Sequence, residues 1–232
     1  MRNTTVSLLP ALGFLVVGVQ FVFPFTKLET EQEREVEELS TIILTPVERV
    51  GGLPLMEALA RRHSTREFSQ EALPLPVLSE LLWAADGVNR PDGKRTAPSA
   101  RNRKAVETYV VLQEGTYRYD PDDHRLIPVV AGDLRSLTGT QDFPATAPLN
   151  LVYVADLNRL NGGGSPETET LITMGVEAGH IAQNVYLYCA SKGLGAVTRM
   201  SIPREQLAEA LRLGPSQYVI SAQTVGYAVG TE

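Results

Sequence analysis

A chain of 232 residues, 43% hydrophobic and 21% charged, is long enough for one ordinary domain with a short appendage and too apolar to stay unfolded. Its formal net charge of −6 argues against nucleic acid as the main partner, because such binding depends on clustered Lys and Arg. The single cysteine, Cys189, excludes an intrachain disulfide and a thiolate-rich metal site, and His63, His124 and His180 are too scattered for a cage, so no metal is expected.

Val6 to Phe25 is almost wholly apolar and follows Arg2, the composition of a targeting segment. About 20 apolar residues suffice to span a bilayer, and no clear small-residue cleavage site precedes Thr26. Residues 1–26 are therefore read as a signal peptide or a membrane anchor. Export, or membrane attachment through residues 6–25, is expected over cytoplasmic residence. Residues 27–50 turn acidic through Glu29, Glu31, Glu33, Glu35, Glu37 and Glu38 and read as a solvated linker. The globular domain is assigned to residues 51–232.

Within that domain, Leu55, Met56 and Leu59 share one helical face, and Leu78, Leu81, Leu82 and Ala85 predict a second helix from Pro76 to about Gly87. Thr108 to Gln113, Thr116 to Tyr119 and Leu126 to Val130 predict a strand meander, broken at Gly115 and by the Asp120–Asp123 turn. Leu149 to Ala155 is apolar enough for the interior of a sheet. Leu171, Met174, Ala178, Ile181, Val185 and Tyr188 then step by three and four, predicting a long buried helix stopped at Gly193. Pro203 opens a helix through Leu207 and Leu211, and Tyr218 to Tyr227 predicts a last strand. Strands clustered between helices without strict alternation imply an α+β domain.

Three segments could carry chemistry. Arg61-Arg62-His63-Ser64-Thr65-Arg66 offers guanidinium, imidazole and hydroxyl groups suited to a phosphate dianion, although basic residues at a helix end also complement its dipole with no ligand. Ala97-Pro98-Ser99-Ala100-Arg101-Asn102 combines small residues, which let a flat ring approach, with donors and acceptors for its polar edge. Gly193 to Ser201 has GxG spacing but follows a helix and lacks a third glycine, so it is no dinucleotide fingerprint, and Gly162-Gly163-Gly164 reads as a flexible loop.

In order, ARRHSTREF, then TAPSARN before a strand, then EAGHIAQNVYLYCASKGLGAV, then a closing AQTVGY strand resemble the nitroreductase family of flavoproteins over about Leu53 to Gly230. EGTYRYDPDDHRL is similar to a small meander in the branch that includes azoline oxidases of the SagB type. The resemblance implies a nitroreductase-like α+β fold, a mixed, mainly antiparallel sheet flanked by helices, in an intertwined homodimer with one FMN at each of two composite interface sites. By position, Arg62, His63, Ser64 and Arg66 would hold the FMN phosphate and ribityl chain. Pro98, Ser99, Ala100 and Asn102, from the partner subunit, would line the isoalloxazine, with Gln141 a candidate for its pyrimidine edge. Thr198, Arg199, Met200 and Ser201 would run along the ring, a main-chain N–H near Met200 or Ser201 pointing at N5 and Arg199 placing positive charge nearby. No catalytic side chain is implied, since flavin N5 carries the hydride.

Relatives often place a basic residue beyond the last strand, where this chain reads Gly230-Thr231-Glu232, so Arg62 and Arg66 are expected to carry the phosphate. Arg103 and Lys104 are expected to give the loop a positive rim. The activity implied is FMN-dependent transfer of hydride from NAD(P)H or another donor to a small electron-poor acceptor such as a nitroaromatic or quinone. Two alternatives stand beside it: a SagB-type azoline or peptide oxidase, and a membrane-tethered flavin-binding module without turnover.

Overall fold

The computed structural model describes residues 39–160 and 167–230. The apolar stretch 6–25, the acidic run from Glu29 to Glu38 and the glycines 162–164 lie outside the described residues. A seven-stranded sheet runs through the domain in the order β1-β4-β3-β2-β5-β7-β6. Its strands are β1 (Ile42–Ile43), β2 (Val106–Val111), β3 (Gly115–Asp120), β4 (Arg125–Ala131), β5 (Leu149–Asp156), β6 (Gly195–Arg199) and β7 (Gln217–Gly226). The resemblance implies a mixed, mainly antiparallel sheet, and every pairing among the described strands is antiparallel.

The meander β2-β3-β4 forms as expected, with a register shift at Thr116/Tyr117 where Pro128, which has no N–H to offer the ladder, lies opposite Tyr117. β5 sits between β2 and β7, and its residues from Leu149 to Ala155 are all buried. Each fully buried Leu or Val there contributes roughly 1.5–3 kcal/mol. One sheet face, through Val106, Val110, Leu151 and Tyr153, packs on α2 (Leu75–Asp86) and α4 (Thr168–Lys192). The opposite face, through Tyr109, Val111, Val152, Val154 and Ala222, meets Leu207 and Leu211 in and just after α5 (Arg204–Ala210). A buried polar chain ties the first face together: Tyr153 Oη donates to Gln223 Oε1 at 2.5 Å, and Gln223 Nε2 donates to the Ala182 carbonyl of α4 at 3.1 Å.

α4 ends as its sequence predicts, with Gly193 in the left-handed region at φ 71°. Its burial is one-sided, however. Met174, Ala178, Ile181, Val185 and Cys189 face inward, whereas Leu171, Ile172 and Val176 are exposed, because apolar residues encircle more of the helix than one neighbour can cover. The face shared by Leu55, Met56 and Leu59 on α1 (Leu55–Arg61) is likewise outward: Met56 is 76% exposed, and Ala58 makes the buried contact.

The domain also begins earlier than residue 51. Ile42 and Ile43, within the stretch read as linker, pair with Leu126 and Arg125 of β4, and Leu44 is buried in the core. Two residues are too short a strand to leave an alternating pattern. β6, which no sequence pattern predicts, pairs with β7 from Gly195 to Arg199.

Candidate functional site

Arg62 ends α1, its N–H donating to the Ala58 carbonyl at 3.0 Å. The chain then crosses to β6, where the Thr65 N–H donates to the Ala196 carbonyl at 3.0 Å. Gly195 permits this approach, since a Cβ there would lie 2.8 Å from Thr65 Cβ and Cγ2. From α4, Tyr186 reaches into the same corner. Its hydroxyl accepts the Thr198 N–H at 2.7 Å and lies 3.2 Å from Ser64 Oγ, and the Arg62 guanidinium stacks 5.3 Å from its ring centroid. One tyrosine therefore joins Arg62 and Ser64 to Thr198, which lies far along the sequence.

His63 is exposed at this corner, its Nδ1 2.8 Å from the Arg61 carbonyl, and Arg66 is exposed beside it. The Thr65 and Thr198 hydroxyls are buried without a hydrogen-bond partner among the described residues. Past the end of β6, Met200 and Ser201 are exposed. The Thr140 N–H donates to the Ser201 carbonyl at 3.1 Å, which brings exposed Gln141, just before α3 (Phe143–Thr146), to the same end of the strand.

Arg199 behaves differently from its neighbours. It alternates with Thr198 to the opposite sheet face and is only 5% exposed. Its guanidinium donates to the Thr138 carbonyl at 2.6 Å, Asn150 Oδ1 at 2.9 Å and Thr224 Oγ1 at 2.8 Å, and lies 5.5 Å from the Phe143 ring centroid. With no carboxylate among these partners, burial brings its pKa down to about 10. Gly139 leaves room for it, since a Cβ there would fall 2.0 Å from Arg199 Nη1. The guanidinium is thus enclosed beneath Phe143 rather than presented at the strand end.

Pro98, Ser99, Ala100 and Asn102 form a separate group, in a loop whose tight 3-10 turn covers Ala100–Asn102. Arg101, Asn102 and Lys104 take left-handed backbone angles of 54°, 54° and 51°. Ser99 Oγ accepts the Lys104 N–H at 3.0 Å, and Glu177 Oε1 of α4 accepts the Ala100 N–H at 2.6 Å. The expected positive rim is reduced: Arg103 donates to the Leu160 carbonyl and Lys104 is half-buried, which leaves Arg101 as the exposed cation. Among the described residues no hydrogen bond links this loop to the Tyr186 corner.

Below the loop lies a buried ionic cluster. Arg95 Nη1 donates to Asp86 Oδ2 at 2.6 Å, yet burial raises the Asp86 pKa to about 7 in spite of that cation. Burial also raises the Glu177 pKa, opposed by its bond from Ala100 and by His180. Glu177 and Tyr186 carry the local geometry and are not singled out by sequence reasoning. Glu177 had a signal: it stands three residues after Met174 and four before Ile181, a carboxylate inside an apolar stripe. Tyr186 had none, lying beside that stripe as an ordinary aromatic.

A cavity of about 430 Å³ lies elsewhere, between residues 47–55, α2 and the C-terminal half of α4. Several of its polar groups are already matched: Glu80 pairs with Lys192 and accepts from Tyr188, Ser191 Oγ accepts the Leu53 N–H, and the Trp83 indole donates to Val88. The groups that could hold an anion converge instead at the Tyr186 corner.

Residues 59–227 match the sequence pattern of the nitroreductase family. The chain is 32% identical over 184 residues, 75% of its length and 91% of the relative's, to a Methanocaldococcus jannaschii protein named "Putative nitroreductase MJ1384". A crystal structure of a protein of the same description from Ralstonia eutropha is 48% identical and superimposes with a TM-score of 0.77, covering 82% of this chain and 90% of that one. The trifolitoxin-processing protein TfxF of Rhizobium leguminosarum is 33% identical over 123 residues, 48% of this chain and 47% of that protein. The Escherichia coli microcin synthetase McbBCD complex, at 18% identity and a TM-score of 0.62, covers 90% of this chain and 84% of the matched chain and shares the fold.

Proposed function

The chain belongs to the nitroreductase family, and from that premise we propose that it is an FMN-dependent oxidoreductase, homodimeric, that passes hydride from NADH or NADPH to a small electron-poor acceptor such as a nitroaromatic or quinone. The observation that carries this reading is the corner where Tyr186 joins Arg62 and Ser64 to Thr198 at β6. The half-buried Arg62 and exposed Arg66 guanidinium groups, the Ser64 hydroxyl and the unpartnered Thr65 and Thr198 hydroxyls fit a phosphate monoester with a polar chain attached.

Arg62, His63, Ser64 and Arg66 would hold the phosphate and ribityl chain. Met200 would offer apolar surface to the ring, with a main-chain N–H of Met200 or Ser201 directed at its N5 and Gln141 at its pyrimidine edge. When bound, FMN supplies the centre that accepts and donates hydride. Arg199, a buried cation without a carboxylate, would favour negative charge on a ring lying along the strand end, acting through a low-dielectric interior. A second copy would supply Pro98, Ser99, Ala100 and Asn102. Support for that copy comes from the exposed apolar side chains Leu55, Met56 and Leu59 on α1 and Leu171, Ile172 and Val176 on α4, two helices that pack together.

The test is an absorption spectrum after FMN is added to the protein and excess removed by desalting, followed by anaerobic NADH or NADPH. Retained flavin absorbance that bleaches with a pyridine nucleotide is the expected result; a folded protein that retains no flavin contradicts it. A second reading, an azoline-type oxidase or dehydrogenase acting on a peptide, is favoured by the similarity to the trifolitoxin-processing protein. Retained flavin that neither nucleotide reduces would select that reading or a flavin-binding module without turnover, and reduction by an azoline-bearing peptide would separate the two.

A further inference from the structure

We infer that Glu177 is a positioning residue: from α4 its buried carboxylate latches the 99–104 loop into the conformation in which Ser99, Ala100 and Asn102 face a bound cofactor. This rests on the proposed flavin site for its functional meaning, although the latch itself is a property of the chain. Left-handed angles at three non-glycine residues, Arg101, Asn102 and Lys104, are not what an isolated segment of this sequence would adopt. Something must hold them.

The Asn102 and Arg103 N–H groups bond to Ser99 and Ala100 within the loop, as in any tight turn. The Lys104 N–H bonds to Ser99 Oγ, also within it. Arg103 reaches out from the side of the loop to the Leu160 carbonyl, and Arg159, in the 157–160 turn on that same side, donates to the Lys104 carbonyl. Only Glu177 comes from beneath. It is 4% exposed, and the Ala100 N–H is the one hydrogen-bond donor it meets among the described residues.

The groups around it explain why a carboxylate serves here. Asp86 closes α2, paired with Arg95, and together with Lys104, Glu177 and the residues Pro98, Ser99 and Asn102 they enclose a cavity of about 10 Å³. That volume holds at most about one water. Arg95 and Lys104 supply the positive charge that two buried carboxylates require, and His180 lies one turn along α4 on the solvent side. Removing the Glu177 carboxylate would free the Ala100 N–H and leave Lys104 and Arg95 facing Asp86 alone, so the loop would relax toward ordinary angles.

The proposal is tested in the full chain with Glu177→Ala and Glu177→Gln, the second keeping an acceptor at the same reach. Backbone hydrogen exchange at residues 99–104 should quicken at least about tenfold in Glu177→Ala, with protection elsewhere in α4 unchanged, and return most of the way in Glu177→Gln. FMN affinity should fall about tenfold in the first variant and stay within about threefold in the second. Unchanged exchange at 99–104 in Glu177→Ala, or protection lost along the whole of α4, would overturn the latch. If exchange responds as expected while the wild-type protein binds no FMN, the latch stands and the flavin reading falls.

Discussion

Arg199 and Thr198 stand side by side in the sequence, and both are expected along one ring; the alternation of β6 sends their side chains to opposite faces of the sheet. That alternation is unreadable in GAVTR, where small and polar residues hide which face is inward. Arg199 is consequently a packing residue as much as an electrostatic one. Arg199→Ala should cost about 3 kcal/mol, because the buried Thr138 carbonyl loses a charge-assisted donor and a cavity opens under Phe143. Urea denaturation measures this. Gly139→Ala, whose new methyl would strike Arg199 Nη1, should cost roughly 1–3 kcal/mol alone and much less in the Arg199→Ala background, a coupling visible in a double-mutant cycle. At the Tyr186 corner, Tyr186→Phe removes the acceptor of the Thr198 N–H while keeping the ring under Arg62. FMN affinity by fluorescence quenching should fall about fivefold to tenfold, in line with about 1 kcal/mol for one hydrogen bond.

Among elements, α2, β5, α4 and β7 are legible because each is long enough for its period to repeat, and Gly87 and Gly193 close the two helices where they are expected. β1 is hidden because it has two residues, and the outward faces of α1 and α4 are hidden because periodicity locates an apolar stripe without saying what covers it. The candidate site divides the same way. Its ribbon of motif residues is legible as types in order, whereas the tyrosine and the glutamate that position them depend on tertiary contacts. Gly195→Ala should push residues 62–66 off β6, lowering stability by roughly 1–3 kcal/mol and loosening FMN together, whereas an alanine at open Gly175 should do neither to the isolated fold. The C-terminal end of α2 also sets a pH dependence. Asp86 has a pKa of 3.8 ordinarily and about 7 in the fold, so folding takes up a proton between those values. Its contribution to stability is full below about pH 4 and lost as pH rises through 7. The thermal midpoint of Asp86→Asn should accordingly vary less steeply with pH over that window than the wild-type midpoint does.

For the molecule as a whole, the fold places the two expected parts of a flavin site in different regions of one chain, the Tyr186 corner at β6 and the 97–102 loop above the N-terminal half of α4. A second copy that covers α1 and α4 would bury Leu55, Met56, Ile172 and Val176 and could bring one chain's loop to the other's corner. Val176→Glu should therefore shift the protein from dimer to monomer in sedimentation velocity and reduce FMN retention with it, although it touches no residue proposed to contact the cofactor. Whether FMN is held where Arg62 and Arg66 flank the Tyr186 corner is decided by calorimetric titration of FMN into the wild-type protein and the Arg62→Ala/Arg66→Ala variant. One FMN per chain, with affinity at least about 30-fold weaker in the variant at unchanged thermal stability, is the predicted result; equal affinity in the two proteins, or no FMN bound by a folded wild-type dimer, would contradict it.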